Sequence, residues 1–150
     1  MKGIRAMENS SVIQVVNALS QKLETIKDVA FKKNVSIPQK IPTEGIIILR
    51  NGKCEITEII LSPVSYVLEL RPELEILVQN INDDKRHKQL EKIVKQISDC
   101  LNADFSLGGN VDYLRLEPPE YGEESIDGAP PIGVAVIPVI IEFVSNNPLL

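Results

Sequence analysis

The chain has 150 residues, 43% of them hydrophobic and 25% charged, with a net charge of −5. That length suffices for one domain with a substantial core, and the acidic balance excludes a non-specific nucleic-acid binder, which needs a basic face. Aromatics make up only 4% with no Trp, and one His with two Cys leaves little material for a metal site or a His-centred active site.

In chain order, Val12, Val15, Val16, Leu19, Leu23, Ile26 and Ala30 recur at three- and four-residue steps and predict an amphipathic helix. Asn9, Ser10 or Ser11 can cap its start, because each has a short side-chain oxygen for an orphan N–H. Lys32 and Lys33 suit its negative end, and Asn34 can terminate it. A loop with Pro38 and Pro42 leads to a strand from Gly45 to Arg50, apolar on both sides. Asn51-Gly52 reads as a two-residue hairpin turn, with Cys54 to Leu61 as the return segment. After Ser62-Pro63, the alternation is clean from Tyr66 to Val78. Tyr66, Leu68, Leu70, Leu74, Ile76 and Val78 face one way, and Glu69, Arg71, Glu73 and Glu75 face the other. Pro72 lacks an N–H and belongs at a bulge or an edge.

A second helix is predicted from Asp83 to Asn102. Its stripe is Leu90, Ile93, Val94, Ile97, Cys100 and Leu101, and Asn82, Asp83 and Asp84 supply a cap and favourable charge. Asp104 to Gly109 is a turn and Val111 to Glu117 a short strand. Pro118 to Pro131, rich in proline, glycine and acids, reads as a long exposed arm that could be removed without loss of the fold. Ile132 to Phe143 is a long, mostly buried strand. The order α-β-β-β-α-β-β predicts one α+β domain over residues 1–150: a mostly antiparallel, mixed β-sheet with two helices packed on one face.

The residue chemistry points away from catalysis. His87 sits in the charged run from Asp83 to Lys88 and reads as a solvated surface side chain. Gly108-Gly109 leads into a strand, so it is a turn and no phosphate cradle. Cys54 and Cys100 form no CxxC and read as reduced, mostly buried small hydrophobes. Ser10, Ser11 and Ser62 have no His partner in any known spacing. No catalytic, cofactor-binding or metal-ligating residue is assigned. The first residues lack a leader-like apolar run, and the stretch from Ile132 to Val144 is broken by Gly133, Pro138 and Glu142, so no membrane span is expected. Two features exceed this bland background. Glu69, Arg71, Glu73 and Glu75 make a two-signed strand face that could complement another copy of the chain. The arm, with Pro118, Pro119, Tyr121, Pro130 and Pro131, is long enough to pack on a neighbouring subunit.

Several stretches resemble a family of small tailed-phage and prophage proteins. They are Gly45 to Gly52 with Arg50-Asn51-Gly52, the Leu61-Ser62-Pro63-x-x-Tyr66 step, and Arg71-x-Glu73-Leu-Glu75-Ile-Leu-Val78. Leu107-Gly108-Gly109-x-Val111-Asp112, the segment Ile126 to Ile132 and the ending Asn146-Asn147-Pro148-Leu149 add to them. Together, over about residues 45 to 150, they look like the tail terminator, or tail completion, proteins of long-tailed phages and gene transfer agents. The departure is Pro72, where a strand-compatible residue is expected. The resemblance implies a homo-oligomeric ring, a hexamer, that caps the tail tube and offers a surface to the head–tail connector. Its partners would be itself, the tail-tube protein and the connector, with no cofactor, no nucleic-acid sequence recognition and no membrane. It would be a virion tail protein made in the cytoplasm of a bacterial host. A head-closure or neck protein is the alternative of the same kind. An acyl-CoA transferase label carried by some relatives would instead require Glu69, Glu73 or Glu117 as nucleophile or base.

Overall fold

A computed structural model describes residues 10–38 and 40–149. The elements are α1 (Val12–Glu24), β1 (Ala30–Lys33), β2 (Ile46–Ile60), β3 (Ser65–Gln79), α2 (Asp83–Asn102), β4 (Tyr113–Leu116), β5 (Glu120–Glu124) and β6 (Ile132–Ser145). They form an α+β fold with a mixed six-stranded sheet in the order β1-β2-β3-β6-β4, with β5 also on β6. All neighbours run antiparallel except β1 and β2. Both helices lie on one face. Val15, Leu19 and Leu23 of α1 and Leu90, Ile93, Ile97 and Leu101 of α2 share one core with Leu68, Leu70, Leu74, Ile76 and Val78 of β3 and Ile137, Val139, Ile141 and Phe143 of β6.

The period-two reading of β3 holds residue for residue: the six predicted apolar side chains all join the helix-side core, with Tyr66 partly buried. Pro72 sits opposite a bulge of β2, which falls between Arg50 and Lys53, so its missing N–H interrupts no regular pairing. Asn51-Gly52 forms that bulge and is not a hairpin turn. β2 runs straight through it for 15 residues, and the chain turns at residues 61–64 with a cis Ser62–Pro63 peptide. The signal was ambiguous because bulges and tight turns both select glycine. At Gly52 the need is close approach: a Cβ there would lie 1.6 Å from the Arg71 carbonyl oxygen.

α1 is capped by Ser11, whose Oγ accepts from the Gln14 N–H at 3.0 Å; of the other cap candidates, Asn9 lies outside the described residues. The helix ends at Glu24, earlier than the apolar stripe suggested. Thr25 caps it by donating to the Lys22 carbonyl at 2.6 Å, and Asp28 at φ 64° breaks the helical path. Residues 30–33 become β1. The Ala30 N–H donates to the Gly45 carbonyl at 3.0 Å and the Asn34 N–H to that of Leu49 at 2.8 Å, so Asn34 closes a strand and not a helix. Phe31 packs under the helices, while Ala30 faces a second, smaller core of Ile41, Ile46, Ile48, Leu77 and Ile132 on the opposite face. The segment between β1 and β2 folds over that end of the open face, tied by Arg50 Nη1 to the Val35 carbonyl at 2.8 Å.

α2 matches its predicted span and is capped by Asn82, whose Oδ1 accepts from the Lys85 N–H at 3.0 Å. The expected arm is exposed from residue 120 to 130, but part of it, β5, is strand on the edge of β6. β4 pairs Val139 to Glu142 of β6, and β5 pairs Ile132 to Val136 on the same side. They are two halves of one edge, interrupted at Pro118-Pro119, where the Glu117 N–H still reaches the Pro138 carbonyl at 3.0 Å. The turn loop closes with Gln79 Nε2 donating to the Pro130 carbonyl at 3.0 Å. Residues 119–129 are therefore not removable without cost: their loss would uncover the edge of β6 from Ile132 to Val136.

Substitutions at three positions test this packing. Leu23→Ala or Ile97→Ala, each at a side chain no more than 1% exposed, is expected to cost about 2–5 kcal/mol in urea unfolding. Gly52→Ala is expected to cost about 1–3 kcal/mol through its clash with the Arg71 backbone. Gly122→Ala, where no atom lies within 4 Å of the added Cβ, serves as the near-neutral control.

Candidate inter-subunit surfaces

The sheet face away from the helices carries the two-signed row read from the sequence. Arg50 binds Glu75 through Nε at 3.1 Å and Nη2 at 2.8 Å. Arg71 binds Glu69 through Nε at 2.9 Å and Nη2 at 2.6 Å. Three of the four proposed contact charges, Glu69, Arg71 and Glu75, are thus already engaged within the chain. Glu73 is exposed and makes no ion pair among the described residues. Charge is arranged in rows that cross the strands: Glu55, Glu69 and Glu142 are cross-strand partners in one row, and Lys53 and Arg71 pair in the next. Lys53 also reaches Glu55 at 3.0 Å, so the basic row offsets the like-charge acidic one. The carboxylates proposed for the transferase reading, Glu69, Glu73 and Glu117, share this open face. Glu69 is tied to Arg71, and Glu117 lies 3.8 Å from Arg115 Nη2.

On the helix face, β5 closes against the first turns of α2. Arg86 is buried, with its side chain 2% exposed, although it sits in a charged run. Its Nη1 donates to the Asn80 carbonyl at 2.8 Å, Nη2 to Asp83 at 2.7 Å, and Nε to Glu123 at 3.1 Å with a second, shorter bond to Glu123 from Nη2. A buried guanidinium needs this full set of partners. Gly133 makes room for it, since a Cβ there would meet Leu90 Cδ1 at 2.9 Å and Arg86 Cγ at 3.0 Å. The signal was present in the sequence: Arg86 is four residues before Leu90, on the same stripe as Ile93, Ile97 and Leu101. Sequence reasoning missed it by treating the run from Asp83 to Lys88 as wholly solvated. His87 is largely exposed, as expected, with Nε2 3.5 Å from Glu123.

A cleft of about 470 Å³ lies here, lined by His87, Leu90, Glu91, Tyr121, Gly122 and Glu123. Its central carboxylate is a poor proton donor near neutral pH. The hydrogen bonds from Arg86 hold Glu123 below the usual glutamate range, and the same bonds raise the Arg86 guanidinium. Both cysteines are free and half-buried; burial and then Glu55 push the Cys54 thiol up, and Cys100 donates to the Lys22 carbonyl at 3.4 Å, tying α2 to α1. The Gly108-Gly109 turn is as expected, with positive φ at both glycines and the Gly108 N–H bound by Asp104 at 2.9 Å.

An exposed apolar cluster at the β2–β3 end was not anticipated. Beyond the Gly52 bulge, β3 stays paired with β6 as far as Tyr66 and Ser145 and keeps Leu68 and Leu70 in the helix-side core, but the facing part of β2 and the turn after it lie open. Ile56, Ile59, Leu61 and Val64 are 46%, 55%, 71% and 50% exposed there. Among the described residues, no helix is long and apolar enough to cross a membrane. Compared with known proteins, the chain matches no family model and no curated protein.

The Glu123–Arg86 bond predicts an acid response. A carboxylate whose pKa is lowered on folding contributes stability that is present above the ordinary glutamate range, about 4.3, and lost as pH falls through the folded value. Glu123→Gln is expected to be less stable at neutral pH and to lose less on acidification in urea unfolding at stepped pH. An unchanged acid slope would show that the pair contributes nothing.

Proposed function

We propose that this protein is a structural subunit of a tailed-phage or prophage virion, a tail terminator that caps the tail tube as a homo-oligomeric ring and presents the joining surface for the head connector. The carrying observation is a small α+β subunit that leaves a cluster of apolar side chains, Ile56, Ile59, Ile60, Leu61 and Val64, open at the β2–β3 turn end of its sheet. Such a patch on a small protein marks an interaction site. The order and spacing of the motifs from Gly45 to Leu149 support the terminator reading, and a head-closure or neck protein is the alternative of the same kind. The hydrogen bonds from Arg86 hold Glu123 as part of the fold and leave it unsuited to act as a general acid in the cleft.

The work is then shape and charge: a ring docks on the last tube layer, stops its growth, and offers the opposite rim to the connector. The interface residues first drawn from the sequence take new roles here. Glu69, Arg71 and Glu75 stiffen the open face through their ion pairs, Glu73 remains available on it, and Tyr121 lies exposed on β5. Pro118 and Pro119 break the edge, while Pro130 and Pro131 anchor the loop to Gln79 and Asn80.

The test is the mass of the purified protein, alone and mixed with tail-tube protein of the same genetic element. A ring, alone or on the tube, is expected, and Leu61→Glu with Ile59→Lys is expected to remove tube binding while leaving the fold. A chain that stays monomeric at high concentration and with tube present overturns the reading.

A further inference from the structure

The sheet has two free edges at the same height, and they are complementary. β1 covers only the first four residues of β2, and β5 covers the matching stretch of β6. The pairing registers join them in continuous rows. Lys32 is opposite Ile48, which is opposite Glu75, then Val136, then Glu120. The next row runs Phe31, Ile47, Ile76, Ala135, Tyr121, and the next Ala30, Ile46, Leu77, Val134, Gly122. Lys32 and Glu120 thus end one row on the open face, while Phe31 and Tyr121 end its neighbour on the helix face.

We infer that β5 of one copy adds to β1 of the next, extending the sheet from subunit to subunit. This rests on the ring reading above and says which surfaces build it. Three observations carry it. First, polarity fits: β1 runs with β2 and β6, and β5 runs against β6, so a rotated neighbour brings the two strands together antiparallel. Second, the facing pairs fit when the rows are kept level: Lys32 meets Glu120, Phe31 meets Tyr121, and Ala30 meets Gly122, which adds no side-chain bulk. Third, the charges are opposite and unspent. Lys32 and Glu120 make no ion pair among the described residues, and both are exposed. The β5 edge also carries Glu124, and the β1 edge carries Lys33, while Glu123 is held within the chain by Arg86. The acid on the β1 side, Asp28, lies before the strand at φ 64°, outside the extended backbone.

The same charges choose the geometry. Two β1 edges would repel, and so would two β5 edges, while β1 against β5 attracts. An interface between unlike surfaces is heterologous, the type that closes into a ring when the rotation is right. Charged edges that would otherwise only prevent sheet-to-sheet aggregation become selective for one partner, a second copy.

The experiment is a charge swap on the full chain, read by sedimentation at low salt, with melting curves to show that each variant is folded. Lys32→Glu alone and Glu120→Lys alone are each expected to weaken self-association by about tenfold, since each turns an attraction into a repulsion. The double variant is expected to regain the intact protein's association. Single reversals without effect, or a double variant as weak as the singles combined, overturn the edge pairing. So does an intact protein that remains monomeric at high concentration and with tail-tube protein present. If assembly persists through the reversals and still binds tail tube, the terminator reading stands and only this interface is wrong. If the swap restores assembly that ignores tail tube, the interface stands and the terminator reading fails.

Discussion

Everything in this fold hangs on the alternation along β3. It is hydrogen-bonded on both sides over nearly its whole length, to β2 and to β6, so its register fixes theirs. Its apolar set points to one face and its charged set to the other, and a slip of one residue would exchange the two. The helices have no choice of side. α1 and α2 cover the face where Leu68, Leu70, Leu74, Ile76 and Val78 stand, because only there does burial return roughly 1.5–3 kcal/mol per large side chain. The opposite face stays charged over its upper part and is sealed at its lower end by the segment leading into β2.

The second constraint is the far side of β6, where no single strand runs the full length. Two prolines, Pro118 and Pro119, divide the covering edge, and Pro138 lies across from them. The lower half, β5, is exposed along its whole length and would be weakly held by burial alone. What fastens it is Glu123, reaching across to a guanidinium that α2 has already buried. The dependence is mutual. Glu123 supplies the buried Arg86 with a partner beside Asp83 and Asn80, and Arg86 ties β5, already paired along β6, to α2.

Much of this was legible in the sequence because the relevant periods are long. β3 alternates over 13 residues and α2 carries its stripe over a cap and four turns, so neither could be mistaken. The misreadings share a different cause: a short signal with two physical meanings. Ile26 and Ala30 continue the helical spacing of α1 on paper, yet four residues of β1 are enough to be captured by the edge of β2. Gly52 is demanded by a bulge where a turn was expected. The prolines around residues 118–131 suggested a loose arm, but a strand can tolerate proline at an edge, and here they flank one. Arg86 was lost because charge outweighed position. Its partner lies 37 residues away, a pairing that spacing alone does not reveal.

The two readings of assembly meet in how the sheet is divided. Below the Gly52 bulge, the edges are short, level and opposite in charge, and they suit lateral contact with copies of the same chain. Above it, the outer part of β2 and the turn into β3 leave Ile56, Ile59, Leu61 and Val64 open, clear of those edges. A subunit that used its apolar tip to bind its neighbours would have little left for a tube or a connector. Charge-led pairing low on the sheet leaves the tip free, because electrostatic matching sets orientation and partner choice while apolar burial supplies holding strength. On this division, lateral assembly should weaken as salt screens Lys32 and Glu120, whereas contact made by the hairpin should persist. The break at Pro118-Pro119 then has a purpose in the assembly as well as in the fold: it confines edge pairing to the lower rows and keeps the upper edge from joining neighbouring sheets out of register.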